Sequence, residues 1–151
     1  MPDVVPEIET LVPHRGPALF VERVVQWNAD SIECVGRIPP DSACVSEGFA
    51  PSFVALELAA QAAAALEALL RRRSGQAGPL AGYLVGVKEA RFQVLRLGAG
   101  DELKARVRLI DSAPPLATYE VRLEREGMEC AFAILSTYAA PAPAPPPGRE
   151  S

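Results

Sequence analysis

The chain has 151 residues, 49% of them hydrophobic and 23% charged, with a net charge of −4. That length suffices for one domain with a real core. The acidic balance gives nucleic-acid binding no global electrostatic support. Three cysteines, Cys34, Cys44 and Cys130, lack the CxxC spacing of a zinc site. They read as reduced thiols of a cytoplasmic protein, buried as small apolar residues.

The opening stretch, MPDVVPEIETL, is acidic and has no apolar run, so it does not read as a signal peptide. Residues 5–12 predict a short helix. Pro13 and Pro17 then bracket His14, Arg15 and Gly16 in a turn-rich link. Residues 18–27 read as a strand, Asn28-Ala29-Asp30 as a turn, and residues 31–38 as a second, alternating strand. A loop over 41–50 carries Ser46, Glu47 and Gly48.

The next segment, FAPSFVALELAAQAAAALEALLRRR, is a long apolar helix pattern from Phe49 to Arg73. Pro51 and Ser52 are start signals. Arg71, Arg72 and Arg73 followed by Ser74-Gly75 are stop signals, with the basic residues opposing the helix dipole. The segment is roughly the ~20 residues needed to span a bilayer. However, it is rich in alanine rather than leucine, carries Glu57, Gln61 and Glu67, and is followed by strands. It therefore reads as the central helix of a core, with small side chains that let other backbone approach closely, and no membrane association is expected. Glu57 and Gln61 stand one turn apart on one face. A carboxylate kept on an apolar helix is costly unless it serves a function.

After Pro79 come β-type segments: 81–95, one long or broken strand; 102–110; 116–125; and 128–138. Gly98 to Asp101 and Glu126-Gly127 are the turns, and the alternation in the last three strands predicts an antiparallel sheet with one solvated face. Trp27, Tyr83 and Phe92 read as core or interface residues. Residues 139–151, AAPAPAPPPGRES, read as a disordered Pro/Ala-rich tail. Residues 1–138 thus form a single α+β domain, one helix on one curved antiparallel sheet.

Three motifs in this order resemble those of the 3-hydroxyacyl-acyl-carrier-protein dehydratases of the FabA/FabZ type, over roughly residues 8–138. They are LVPHRGPALFVERVV from Leu11 to Val25, PSFVALELAAQ from Pro51 to Gln61, and the set Lys88, Arg91, Phe92, Gly100 and Asp101. The resemblance implies the hot-dog fold and a dimer with its active sites at the dimer interface. It also implies acyl thioester substrates on acyl carrier protein or CoA, and no cofactor or metal. The family's loop histidine would fall at Ala43, and DSACVSEGFAP contains none. The loop and helix start, EGFAPSFVALELAAQ, are closer to the ApeP-like hot-dog proteins of aryl polyene clusters.

Dehydrating a 3-hydroxyacyl thioester needs a proton removed beside the carbonyl and another given to the leaving hydroxyl. The resemblance puts the catalytic carboxylate at Glu57, whose pKa an apolar tunnel would raise. Gln61 is expected to orient Glu57 or the thioester. Backbone N–H groups near Phe53 and Val54, with Gly48 just ahead of them, are candidate donors to the thioester carbonyl. His14 is the sole histidine and the best base candidate; Ser46 and Glu47 are weaker substitutes. The PHR turn also reads as purely structural, and Glu57 as a carboxylate bonded across an interface. Arg71, Arg72 and Arg73 read either as dipole compensation or, with Arg91 or Arg96, as a docking patch for an acidic carrier protein. Two other functions stay open: an acyl thioesterase whose helix carboxylate activates water, and a non-catalytic subunit completing a heterodimer with a true dehydratase.

Overall fold

A computed structural model describes residues 5–76 and 80–141. Its elements are β1 (Val21–Trp27), β2 (Ser31–Gly36), β3 (Phe49–Pro51), α1 (Leu56–Arg73), β4 (Leu80–Phe92), β5 (Arg96–Gly98), β6 (Leu103–Ala113), β7 (Leu116–Arg125) and β8 (Met128–Pro141). Six strands form one antiparallel sheet in the order β1-β2-β6-β7-β8-β4, wrapped around α1, while β3 and β5 pair separately beside the start of the helix. This is the α+β architecture expected, a hot-dog fold. The helix that is long and apolar enough for a bilayer is instead packed on strands, with Leu58, Ala59, Ala62, Ala63, Ala65 and Leu66 buried.

The alternation read in the strands holds where pairing is regular. Leu103, Ala105 and Val107 of β6 and Tyr119, Val121 and Leu123 of β7 are buried. The opposite face is a charged lattice. Glu33 lies 3.2 Å from Lys104 and 3.6 Å from Arg106, and Arg108 pairs with Glu120 at 3.2 Å. Phe132 sits on this side beneath two guanidiniums, those of Arg91 at 4.5 Å and Arg122 at 4.8 Å. β1 departs from alternation, burying Val21 and Val24 only, because its pairing with β2 is shifted twice.

Other boundaries differ from the sequence reading for local reasons. Residues 5–12 make a single 3-10 turn, Ile8–Thr10, not a helix; Ile8, Leu11 and Val12 are instead spent plugging the core. The helix opens with a 3-10 turn over Ser52–Ala55 before the α-helical register begins. There Ser52 donates to the Val94 carbonyl and its N–H to that of Leu95. The last strand continues to Pro141, so residues 139–141 are strand rather than tail; residues 142–151 of the expected tail lie outside the described residues.

Turn chemistry is as read. Glu126-Gly127 closes its hairpin with φ of 53° and 78°, and Glu47-Gly48 repeats this before the helix with φ of 53° and 81°. Gly36 is demanded by packing, since a Cβ there would stand 2.2 Å from the Phe20 carbonyl oxygen and 2.6 Å from a Leu58 methyl. Cys34 and Cys130 are buried as expected, and burial pushes the Cys34 thiol up to about 12. Cys44 is exposed rather than buried, in a loop where its neighbour Val45 is the residue that packs against the core.

Candidate active site

One stripe of α1 does not enter the core. Glu57, Ala60, Ala64, Glu67, Ala68 and Arg71 are each only partly buried. Their spacing of three and four residues puts them on one helical face. They floor a cavity of about 710 Å³, whose walls are the N-terminal segment from Glu9 to Arg15 and parts of β4, β7 and β8. The helix alanines therefore do two jobs: Ala59, Ala62, Ala63 and Ala65 admit the sheet, while Ala60, Ala64 and Ala68 leave a groove.

At one end of the groove the chain brings His14 to Glu57. The imidazole Nε2 lies 3.3 Å from Glu57 Oε1. The histidine is delivered by the PHR turn, and the turn is clasped by its own arginine. The Arg15 guanidinium donates to the carbonyls of Glu9, Val12 and His14 at 2.7, 2.8 and 2.6 Å. From the far end of α1, Arg72 donates to the Thr10 carbonyl. A segment without regular structure thus becomes a fixed wall.

Gln61 is almost fully buried. Its Oε1 accepts from the N–H groups of Phe20 and Val21, at 2.9 and 3.1 Å, and its Nε2 donates to the Ala18 carbonyl at 2.8 Å and to Glu57 Oε1 at 3.0 Å. It orients Glu57 and anchors the start of β1, and its amide has no capacity left for a thioester. The sequence reading expected burial to raise the Glu57 pKa. The opposite holds: the hydrogen bond from His14, helped by that from Gln61, outweighs desolvation and holds the carboxyl below its ordinary value.

Gly48, Phe53 and Val54 are not brought to this groove. Gly48 is a turn residue whose carbonyl accepts from Ala99 N–H. Phe53 points to solvent and Val54 packs in the core. Ser46 pairs with Phe49 across the Glu47-Gly48 turn, so neither Ser46 nor Glu47 reaches His14 or Glu57. The three helix-end arginines have partners within the chain: Arg71 with Gln76 at 3.0 Å, Arg72 with Thr10, and Arg73 over the Trp27 ring at 4.7 Å. Tyr83 and Phe92 are exposed along β4, while Trp27 packs at the core margin.

A second polar pair went unread in the sequence. The Tyr119 hydroxyl lies 3.4 Å from Glu67 Oε2, about 15 Å along the helix from Glu57 at 1.5 Å per residue. Burial raises the Tyr119 pKa, and the Glu67 charge raises it further, so the hydroxyl stays protonated. Only the stripe spacing of Glu57, Ala60, Ala64 and Glu67 signals it in the sequence.

A wrapped antiparallel sheet and one central helix, with a helix carboxylate lining a long groove, define a hot-dog-fold protein. The chain belongs to the ApeP-like family, described as ApeP dehydratase, whose family model matches residues 6–145. Among solved structures it resembles the dehydratase heterocomplex ApeI:P from Xenorhabdus doucetiae. The TM-score is 0.82 at 22% identity, over 91% of this chain and 93% of that one. It is also similar to a mutant thioesterase from Pseudomonas aeruginosa, with TM-score 0.57 and 18% identity over 80% and 81% of the two chains. A sigma28-regulated virulence protein from Campylobacter jejuni aligns with TM-score 0.63 and 10% identity over 88% and 95%. At these identities the solved structures speak for the fold alone. No curated protein sequence matches the chain.

Proposed function

We propose that this protein dehydrates 3-hydroxyacyl thioesters carried on acyl carrier protein, in fatty-acid or polyene-type synthesis in the cytoplasm. The observation that carries the reading is the His14–Glu57 contact, 3.3 Å between Nε2 and Oε1, at the end of an alanine-floored groove. A groove of about 710 Å³ lies within the ordinary range of ligand sites. Family membership over residues 6–145 points the same way. No cofactor is needed for the elimination, since proton transfer suffices.

We further propose that it works paired with a second hot-dog subunit, either a copy of itself or a related chain. β4 is a sheet edge of 13 residues that exposes Tyr83, Leu84, Val85 and Val87. A long apolar edge strand is a liability unless another strand covers it. The related ApeI:P structure is a dehydratase heterocomplex, which favours a hetero-pair.

The test is to incubate the purified chain with 3-hydroxyacyl and plain acyl thioesters. Enoyl absorbance is expected from the hydroxyacyl substrate. Release of free thiol without enoyl product would instead mean thioester hydrolysis, a reading favoured by the thioesterase fold relatives and by the lack of a loop histidine. If the chain is silent alone and a co-expressed hot-dog subunit is active without it, the dehydratase reading fails for this chain.

A further inference from the structure

Both donors that reach Glu57 reach the same oxygen. His14 Nε2 lies 3.3 Å from Oε1 and Gln61 Nε2 donates to Oε1 at 3.0 Å. Among the described residues no protein group donates to Oε2. The Gln61 amide cannot be turned over, because its oxygen already accepts from Phe20 and Val21 N–H, and a flip would set its NH2 against two donors. The imidazole is constrained too. Its Nδ1 is buried and unpartnered. With the proton on Nε2, Nδ1 holds only a lone pair; a second proton would strand a buried N–H. That lone pair is also out of reach of a substrate in the groove.

We propose that His14 and Gln61 are positioning residues that keep Glu57 Oε1 a permanent acceptor, so that Oε2 alone exchanges the proton with substrate. The proposal rests on the dehydratase reading above. Oε2 takes the proton from C2, and the C2–H electron pair becomes the C2=C3 double bond as the C3–O bond breaks. The same oxygen then hands that proton to the departing hydroxyl, which leaves as water, and the carboxylate is restored. One carboxylate completes the cycle, so no histidine is required in the 41–50 loop.

The test compares four variants of the full chain on 3-hydroxyacyl-N-acetylcysteamine thioesters, with melting midpoints recorded to establish folding. Glu57→Gln is expected to show no turnover. His14→Ala is expected to lower kcat at least tenfold with KM within twofold. His14→Gln keeps an N–H where Nε2 was and is expected to recover most of that loss. Gln61→Glu keeps the acceptor toward Phe20 and Val21 but removes the donor toward Glu57; it is expected to lower kcat at least tenfold with KM within twofold. If Gln61→Glu does not fold, the two His14 variants decide. His14→Gln as inactive as His14→Ala, with Glu57→Gln inactive too, would mean that His14 carries the proton itself. That overturns the proposal and leaves the dehydratase reading standing. Turnover by Glu57→Gln, or none by the native chain both alone and co-expressed with a second hot-dog subunit, overturns the reading and the proposal together.

Discussion

At the scale of single residues, the Glu57 carboxyl has a pH signature. Its pKa is lowered in the folded chain, first by His14 and then by Gln61. A depressed carboxyl contributes stability that is fully present above its unfolded value, near 4.5, and is lost as pH falls through the folded value. Urea unfolding of the native chain and Glu57→Gln should therefore differ most near neutral pH and converge as pH falls through the lowered folded value. A gap that widened on acidification would mean the carboxyl is raised, not lowered. Gly36 makes a second test. Alanine there must displace the Phe20 carbonyl, 2.2 Å from the new Cβ, and should cost about 3 kcal/mol in denaturant melts. Neither effect could be read locally. His14 meets Glu57 from 43 positions away, and Gly36 is constrained by a backbone oxygen that leaves no trace in composition.

At the scale of elements, α1 separates packing from function on adjacent alanines. Ala62 faces the sheet with no exposure and Ala64 faces the groove. Ala62→Leu should destabilise by roughly 1–3 kcal/mol through overpacking. Ala64→Leu should cost less than about 1 kcal/mol, in line with half-exposed sites, yet raise KM for long-chain thioesters several-fold. Thermal melts and steady-state kinetics on the two variants check this; equal stability loss in both would refute the division. The helix itself was legible because apolar periodicity, a Pro-Ser start and an Arg-Ser-Gly stop all agree. The β6 and β7 strands were legible because charge alternates with apolar side chains. β1 was only partly so, since two register shifts break the alternation between Val21 and Gln26. The N-terminal segment was misread because Ile8, Leu11 and Val12 have helical spacing but serve as plugs. Arg15, which holds that segment, bonds to carbonyls among the described residues, and carbonyls are the same in every sequence.

At the scale of the whole molecule, β4 is a 13-residue strand at the sheet edge. A charge placed on its apolar edge, as in Val85→Lys, should push a dimer toward monomer with little effect on the fold, since Val85 is exposed in the single chain. Sedimentation velocity reads the shift; a native chain that stays monomeric at high concentration, alone and with a hot-dog partner, would remove the pairing proposal. The N-terminal wall has a practical corollary. Arg72 ties Thr10 to one end of the helix stripe and His14 meets Glu57 at the other, with Arg15 clasping the segment between them, so residues 9–15 belong to the groove. An affinity tag or truncation at that end perturbs the groove that the segment walls. Weak activity from an amino-terminally tagged preparation would thus report on the handle chosen for purification before it reported on the chemistry.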